Sequence, residues 1–265
     1  MSDFTYALDA DGVATITWDV KSKSMNVLNL EAAADLSALI DKAIADDAVK
    51  GVILTSGKKD FAGGMDLNII AKMKESAGDD PARGLFDGIM NFHALERKME
   101  LMGRDLKTAK GGKPIVAALP GTALGIGLEL PLSCHRIIAA DNPKAKIGLP
   151  EILVGIFPGA GGTTRLVRKM GAMVASPFLL EGKLSDPKAA KAAGIIDEVV
   201  APDALMTRAK EVATQLSGLK AARAQAQARM TERGAGEGAG DGAGGPGALR
   251  RVACVHYAIA NVYAL

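Results

Sequence analysis

Two isolated glutamates are the residues of this sequence best suited to acid/base chemistry. Glu129 is the one charged side chain in the run 114–134, and Glu151 is the one ionisable residue in the run 147–164. Burial in such apolar surroundings raises a carboxyl pKa, and proton transfer needs groups that titrate near the working pH. The pair therefore indicates an acid/base site. The alternative is two structural glutamates that cap or pair elsewhere.

Glycines surround both candidates and could present backbone N–H groups to a ligand. In the run 57–67, Gly63 and Gly64 would let the chain turn sharply before a helix and leave amides free for an anion or a polarised oxygen, although an ordinary strand-to-helix turn explains them too. Gly125 and Gly127 open the backbone in the same way before Glu129. Their G-x-G spacing lacks the third glycine of a dinucleotide fingerprint.

A third cluster, Gly159 to Gly162, follows Glu151 and lacks the Gly-Lys-Ser/Thr ending of a phosphate loop, which argues against nucleotide hydrolysis. The histidines His93, His135 and His256 lie too far apart in sequence to indicate a metal site. No G-x-S-x-G nucleophile motif occurs. We therefore expect neither a bound metal nor a covalent intermediate.

The overall composition excludes several classes of partner. The 265 residues carry 32 basic and 30 acidic side chains, so the formal net charge is only +2 and gives no strong attraction to nucleic acid. We expect no membrane segment and no export signal, because no apolar run reaches 18 residues and the first residues lack a basic and apolar leader. Two widely separated cysteines fit a reducing compartment, and we expect a cytoplasmic protein.

The elements that must position these residues follow an α/β pattern. A hairpin is predicted around the turn 9–12, followed by a helix over 30–45 and a short apolar strand at 51–55. Further apolar runs, each next to a helical pattern, predict more buried strands: 114–119, 136–140 and 195–200. The alternation predicts a largely parallel sheet covered by helices.

Two regions depart from this alternation. Residues 76–112 form a long polar insertion with an amphipathic helix predicted from Arg83 to Lys110, which could serve as a lid, an oligomer surface or a solvated connector. At the other end, 234–247 contain eight glycines and almost no large apolar side chains, so they offer little to offset the entropy of ordering. We therefore predict a folded domain over 1–216 and an atypical, helix-prone and then flexible tail over 217–265.

The glycine-rich segments, taken in order, resemble the crotonase superfamily of enoyl-CoA hydratases and isomerases. The resemblance covers about residues 4–215 and is carried by three matching stretches, 61–67, 113–130 and 148–163. With its long insertion the chain is most similar to the hydratase portion of bacterial multifunctional fatty-acid oxidation proteins. The resemblance implies a spiral of ββα units with C-terminal helices. Past Thr214 the sequence shows no match to the family's usual helices, which help to build its trimers.

The resemblance also assigns roles to individual residues. It implies that the backbone N–H groups of Met65 and Ile126 form an oxyanion hole for the thioester oxygen, and that Glu129 and Glu151 are catalytic, with Glu151 delivering a proton to the α carbon. Other matched positions are expected to contact substrate: Lys59, Phe61, Ala62, Gly63, Gly64, Asp66, Gly125, Gly127, Pro150 and Gly159. The neighbouring Lys58 is a second candidate for contact with a CoA phosphate.

The function implied is hydration of a 2-enoyl-CoA to a 3-hydroxyacyl-CoA in β-oxidation. Coenzyme A is then part of the substrate, and no separate cofactor is expected. Two other functions stay open: a Δ3-Δ2-enoyl-CoA isomerase, which needs one carboxylate, and a catalytically silent subunit that binds acyl-CoA or acts as a scaffold. The family's assembly implies a homotrimer or hexamer, weakened if the C-terminal region is altered.

Overall fold

The main sheet begins with the hairpin that the sequence predicts. In the computed structural model, the first two strands pair antiparallel, and the next four add to the sheet in parallel. The strands lie in the order β1 (Phe4–Leu8), β2 (Val13–Trp18), β3 (Gly51–Ser56), β4 (Ile115–Leu119), β6 (Arg136–Ala140) and β8 (Glu198–Val200). The predicted largely parallel core is therefore confirmed, although the last strand is shorter than the apolar run 195–200.

A second, smaller sheet turns the chain into a spiral of repeated units. After β4 the chain forms β5 (Ala123–Leu124), which pairs in parallel with β7 (Ile147–Gly148), the strand that follows β6. A single bridge joins Ala62 to Ala123, so the segment after β3 pairs with β5. In its own unit this segment has the position that β5 and β7 have in the next two units. Each unit thus contributes one strand to the large sheet, a short one to the small sheet, and then a helical segment.

The helices begin and end where local sequence signals indicate. Asn29 caps the first helix by accepting a hydrogen bond from the N–H of Ala32 at 2.7 Å. Asp186 caps the helix that ends at Ala193 in the same way. The helices are α1 (Leu30–Ala45), α2 (Pro81–Leu101), α3 (Ile126–Leu132), α4 (Gly162–Met170), α5 (Ala172–Leu180), α6 (Pro187–Ala193) and a helical run over 205–219, with 3₁₀ turns at Pro150–Val154 and Pro202–Ala204.

Both faces of the main sheet are covered, as is typical of parallel sheets. One face carries the larger core, in which Trp18 stacks on Phe4 and meets Phe61 edge-on. On the other face, side chains such as Ile53 and Val116 pack against the helical run 205–219. Among the described helices, none combines the length and the apolar character needed to cross a bilayer.

The insertion helix is shorter than predicted and is part of the core. We expected it to reach Lys110, but α2 ends at Leu101, because Met102 adopts a left-handed conformation and Gly103 another positive φ. One face of α2 is buried, including Phe92, Leu95, Glu96 and Met99. A solvated connector is therefore the wrong interpretation of this helix.

The structure describes residues 2–66, 68, 69, 80–108 and 110–219, which fall within one compact unit, Met1–Ala221. Residues 217–219 continue the last helical run, and the rest of the predicted tail lies outside the described residues. The proposed division at 216/217 therefore stays a prediction. Of the helix expected after the turn at Gly63 and Gly64, the described residues 68 and 69 are helical.

Candidate active site

A free backbone amide at Met65 results from a peptide flip at Gly64. Upstream, the N–H of Gly63 donates to the carbonyl of Asn26 at 2.9 Å, as in a regular ladder. Gly64 then adopts a φ of +122°, and its carbonyl turns to accept from Leu28 N–H at 3.0 Å. In a trans peptide, C=O and N–H point in opposite directions, so the N–H of Met65 points away from Leu28. Within the described part of the chain, no acceptor binds it.

A second free amide arises in the same manner at Ile126. Gly125 has φ +55° and ψ −128°, a conformation open to glycine and strained for other residues. Its own N–H donates to Gly148 at 3.1 Å, which ends β5, and the next N–H, that of Ile126, begins α3. The first N–H groups of a helix have no partner within it. No described residue accepts from Ile126.

Strand pairing brings the two amides close together. The segments at 62 and 123 run in parallel, with Leu124 N–H donating to the carbonyl of Ala62 at 3.1 Å. Three residues further along each segment lie Met65 and Ile126. Continued pairing would bind Ile126 N–H to the carbonyl of Gly64, but that carbonyl accepts from Leu28 instead. The two flips therefore leave two adjacent, unpaired donors at one edge of the small sheet.

Glu129 lies one turn into α3 and is held by the segment before α4. Its carboxylate is buried, and Oε1 accepts from the N–H groups of Ala160 at 3.0 Å and Gly162 at 2.8 Å. Burial raises the pKa of Glu129 to about 7, and the charge of Glu151 adds to the rise, while the two amides and Arg165 limit it. Glu129 is thus a fixed carboxyl that titrates near neutrality.

Glu151 approaches the free amides from the 3₁₀ turn at Pro150–Val154. Its Oε1 lies 3.1 Å from the position that a Cβ on Gly125 would occupy, so a side chain there would displace the carboxylate. Its Oε2 is buried and, among described residues, has no hydrogen-bond partner. Burial raises the pKa of this carboxyl as well. The two glutamates that the sequence singled out therefore belong to one site, beside the two free N–H groups.

Close packing explains two more glycines of the matched segments, Gly127 and Gly63. A Cβ on Gly127 would lie 2.7 Å from the Cβ of Ala62, so glycine lets α3 approach the small sheet. Gly63 faces Met25, whose sulfur would lie 2.6 Å from an added Cβ. Pro150 is the first residue of the 3₁₀ turn, and Gly159 lies near His93 of α2. These positions shape the site through backbone placement.

Three of the predicted contact residues lie at its edge or beneath it. Phe61 is fully buried and packs against Trp18, so its side chain supports the segment from below. Asp66 pairs with Lys23 at 3.4 Å, and the N–H of Asn68 holds its pKa below the usual value. Lys59 is exposed.

The neighbouring lysine differs from Lys59 in its partner. Lys58 forms an ion pair of 2.8 Å with Asp19. Of the two lysines proposed to contact a phosphate, Lys59 is therefore the one whose ammonium group is more accessible to it.

In the part of the chain that the structure describes, no group of three or more His, Cys, Asp or Glu side chains could hold a metal ion.

A charged cluster beside Glu129 was not found from the sequence. Glu96 of α2 is fully buried and pairs with Arg165 of α4. The same guanidinium binds Glu100 at 2.8 Å and the carbonyl of Ala160 at 3.1 Å. Burial raises the pKa of Glu96 well above its usual value, and Glu129 and Glu100 add to the rise while Arg165 opposes it. The sequence signal that could have identified Glu96 is its position as a lone charge on the apolar side of the α2 pattern.

Comparison with known proteins supplies relatives over most of the chain. A model of the enoyl-CoA hydratase/isomerase family matches residues 9–235, which extends past Thr214, where the resemblance was expected to end. The fatty acid oxidation complex subunit alpha of Shewanella amazonensis is 36% identical over 230 residues, covering 86% of this chain and 30% of that protein. The chain therefore spans less than a third of that relative's length.

Solved structures share the fold. The enoyl-CoA hydratase of Bacillus anthracis superimposes with a TM-score of 0.68 at 27% identity, covering 82% of this chain and 77% of the other. An enoyl-CoA hydratase/isomerase from Xanthobacter autotrophicus gives a TM-score of 0.70 at 26% identity, covering 88% and 81%. The expected crotonase-like fold is therefore confirmed.

Proposed function

Because the chain belongs to the enoyl-CoA hydratase/isomerase family, we propose that it adds water across the double bond of a 2-enoyl-CoA thioester to give a 3-hydroxyacyl-CoA. The observation that carries this proposal is a pair of carboxyls next to two backbone donors that are unpaired among the described residues: Glu129 is buried, and Glu151 is half-buried with one buried oxygen. Hydration needs both elements: donors for the negative oxygen, and acid/base groups for the protons.

The proposed reaction begins with the thioester oxygen bound to the N–H groups of Met65 and Ile126. As water adds at the β carbon, negative charge moves to that oxygen, where each donor of this kind contributes about 3–4 kcal/mol of transition-state stabilisation. Glu151 supplies the proton that forms the new C–H bond at the α carbon. The proton lost by the attacking water returns to the carboxyl pair, so that the net change is the addition of one H₂O.

The two carboxyls have different parts in this scheme. Glu129 uses Oε1 for two backbone N–H groups and keeps its other oxygen for the water. Glu151 has a buried oxygen without a partner among the described residues, so it can turn toward water and substrate. A pKa of about 7 for Glu129 suits a group that binds water in either protonation state near neutral pH.

A second candidate function is isomerisation of a 3-enoyl-CoA to the 2-enoyl-CoA. Glu151 favours it, because a single carboxyl with a free oxygen next to the donors is sufficient to move a proton between two carbons. The reaction requires no bound water, and hence no second carboxylate.

One substrate comparison separates the two reactions. Crotonyl-CoA tests hydration through the loss of its conjugated ultraviolet absorbance, and a 3-enoyl-CoA tests isomerisation. We expect wild type to hydrate crotonyl-CoA, Glu129→Gln to lose hydration, and Glu151→Gln to lose both reactions. Isomerisation alone would establish the second function, and tight CoA-ester binding without either reaction would establish a silent binding subunit.

The proposal includes β-oxidation as the pathway, a cytoplasmic location and a homotrimer or hexamer. Light scattering coupled to size-exclusion chromatography tests the assembly. No cofactor other than the coenzyme A of the substrate is part of the proposal.

A further inference from the structure

The ion pair between Glu96 and Arg165 lies against the backbone segment that binds Glu129. Ala160 belongs to both sets of contacts: its N–H donates to Glu129, and its carbonyl accepts from Arg165 at 3.1 Å. One residue thus connects the charged cluster to a proposed catalytic carboxyl, although the two ends of the pair are 69 residues apart in sequence.

The neighbouring glycines show how tightly the segment is enclosed. A Cβ on Gly161 would collide with the guanidinium of Arg165 and lie 3.3 Å from Glu96. A Cβ on Gly162 would lie 2.8 Å from the Oε1 of Glu129. The backbone is therefore confined by Arg165 and by Glu129, and a shift of either would move the two amides that bind Glu129.

Stability alone does not account for the pair. Removing two charges from water is costly, and replacing a buried ion pair by apolar residues is often neutral or stabilising. Here the cost is increased because Oε1 of Glu96 is buried without a partner among the described residues. Buried ion pairs in general are weak sources of net stability, whereas the contact of Arg165 with Ala160 gives this pair a direct geometric effect on the site.

We propose that Arg165, oriented by Glu96 and Glu100, is a positioning residue that fixes segment 158–162 so that the N–H groups of Ala160 and Gly162 bind Glu129. The inference rests on the proposed function only for its kinetic readout. Arg165 itself need not contact substrate. Its guanidinium is suited to the task because its planar fork binds two carboxylates and a carbonyl at once.

The sign of the effect on Glu129 follows from the charges around it. Glu151 faces Glu129 from the 3₁₀ turn, Arg165 from α4, and Glu96 lies near it on α2. His93 of α2 and Glu100 also lie close to Arg165. Removing Arg165 deletes a positive charge and loosens two amide donors, and both changes favour the protonated carboxyl. Loss of Arg165 therefore raises the pKa of Glu129.

The test compares Arg165→Gln, Arg165→Lys and Lys169→Gln in the full chain. Lys169 is the matched control, since it also belongs to α4 and loses an ion pair of 2.8 Å, with Asp197, away from the segment. Carbon-13 NMR of glutamate-labelled protein follows the Glu129 carboxyl, identified by its absence in Glu129→Gln. The pH dependence of kcat for crotonyl-CoA hydration is the second readout.

We expect Arg165→Gln to move the Glu129 titration to higher pH and to lower kcat about tenfold or more with a smaller change in KM. Arg165→Lys should recover part of the shift, and Lys169→Gln should match wild type. A folded Arg165→Gln with an unchanged Glu129 titration overturns the proposal.

Two further outcomes are also decisive. If Arg165→Gln does not fold, Arg165→Lys carries the test: one ammonium group cannot reach all three partners, so a titration equal to wild type overturns the proposal. If wild type shows no hydration, the proposed function fails, and the NMR titration alone decides whether Arg165 positions the segment.

Discussion

The surroundings of Glu129 and Glu151 differ in how far each carboxyl is fixed. Glu129 of α3 is buried, and two backbone N–H groups bind its Oε1. Arg165, which pairs with Glu96, binds the carbonyl of Ala160 in the same segment. Glu151 lies on a short 3₁₀ turn, has one oxygen without a partner among the described residues, and precedes a run of exposed apolar side chains over 152–157. Of these two glutamates, Glu129 is therefore fixed in position and Glu151 is free to move.

This contrast suggests how two side chains of the same type in one site can suit different tasks. A carboxyl held by fixed donors keeps a constant position and suits the binding of water. A carboxyl that no neighbouring segment holds through such donors can turn to move a proton to or from a reacting carbon. The same burial that raises both pKa values leaves only Glu151 free to exchange partners. Four predictions test the difference.

The largest expected effect is on proton exchange at the α carbon of a saturated substrate. In D₂O, butyryl-CoA should exchange its α protons through Glu151 and the two amides, without any water addition. We expect Glu151→Gln to slow this exchange by about 10²–10⁴-fold, the usual contribution of a general acid/base. Glu129→Gln should slow it less than about tenfold. Proton NMR measures the rate, and an equal loss in both variants would contradict the division of roles.

The next effect is a gain in stability in the variant Glu129→Gln. A folded pKa of about 7 against 4.5 means that folding favours the protonated form, so stability is full below pH 4.5 and falls as the pH rises to about 7. The substituted amide side chain keeps an oxygen for both backbone donors and carries no charge. We expect Glu129→Gln to be more stable than wild type by about 3 kcal/mol at pH 8.

Urea unfolding at several pH values measures this gain. The advantage of Glu129→Gln should shrink below pH 7 and vanish near pH 4. A constant difference at all pH values would instead indicate a packing effect and would leave the carboxyl's charge without influence on folding.

Displacing the held carboxyl should have a moderate effect. In Gly162→Ala the added Cβ would lie 2.8 Å from Oε1 of Glu129 and force it off its amide donors. We expect hydration to fall by about 10–100-fold, comparable to the loss of one or two charge-assisted hydrogen bonds. Thr164→Ala, at an exposed position of α4, is the matched control and should retain wild-type turnover. Full activity of Gly162→Ala would show that Glu129 is not confined.

The smallest effect should be on stability in the variant Glu151→Gln. The pKa of Glu151 is also raised by burial, so the sign is the same as for Glu129: the variant gains stability as the pH rises above the unfolded pKa. Because Glu151 is only half-buried and water screens its charge, we expect a gain at pH 8 well below that of Glu129→Gln. The same urea series compares the two, and an equal gain would remove the contrast between the sites.

Local patterns predicted most of the framework and both carboxyls. The hairpin, α1, β4 and β6 follow from apolar periodicity and turn residues, which act over a few positions. Glu129 and Glu151 were recognised because a single charge in an apolar run must have a reason to be buried. The family resemblance added the roles of the two amides, which no local pattern supplied.

Features that depend on distant contacts were missed. The pairing of Glu96 with Arg165 exists only because α2 folds against α4, and the lone charge of Glu96 on the apolar side of α2 does not by itself identify its partner. The end of α2 was placed too late, since the left-handed residue there is Met102 instead of the glycine that commonly marks such a stop. The flips at Gly64 and Gly125 likewise depend on which neighbouring strand accepts each hydrogen bond.

The two unpaired amides belong to the path of the main chain, since each follows a glycine with positive φ and neither depends on the side chain of its own residue. A library of apolar residues at positions 65 and 126, where Ile126 is part of the core, would therefore leave both donors in place, whereas proline, which has no N–H, would remove one. Such a library could alter the shape of the cleft, and thereby the choice among substrates, independently of the electrostatics. Under the proposed function, selectivity is then set by side chains at these positions and rate by the main chain.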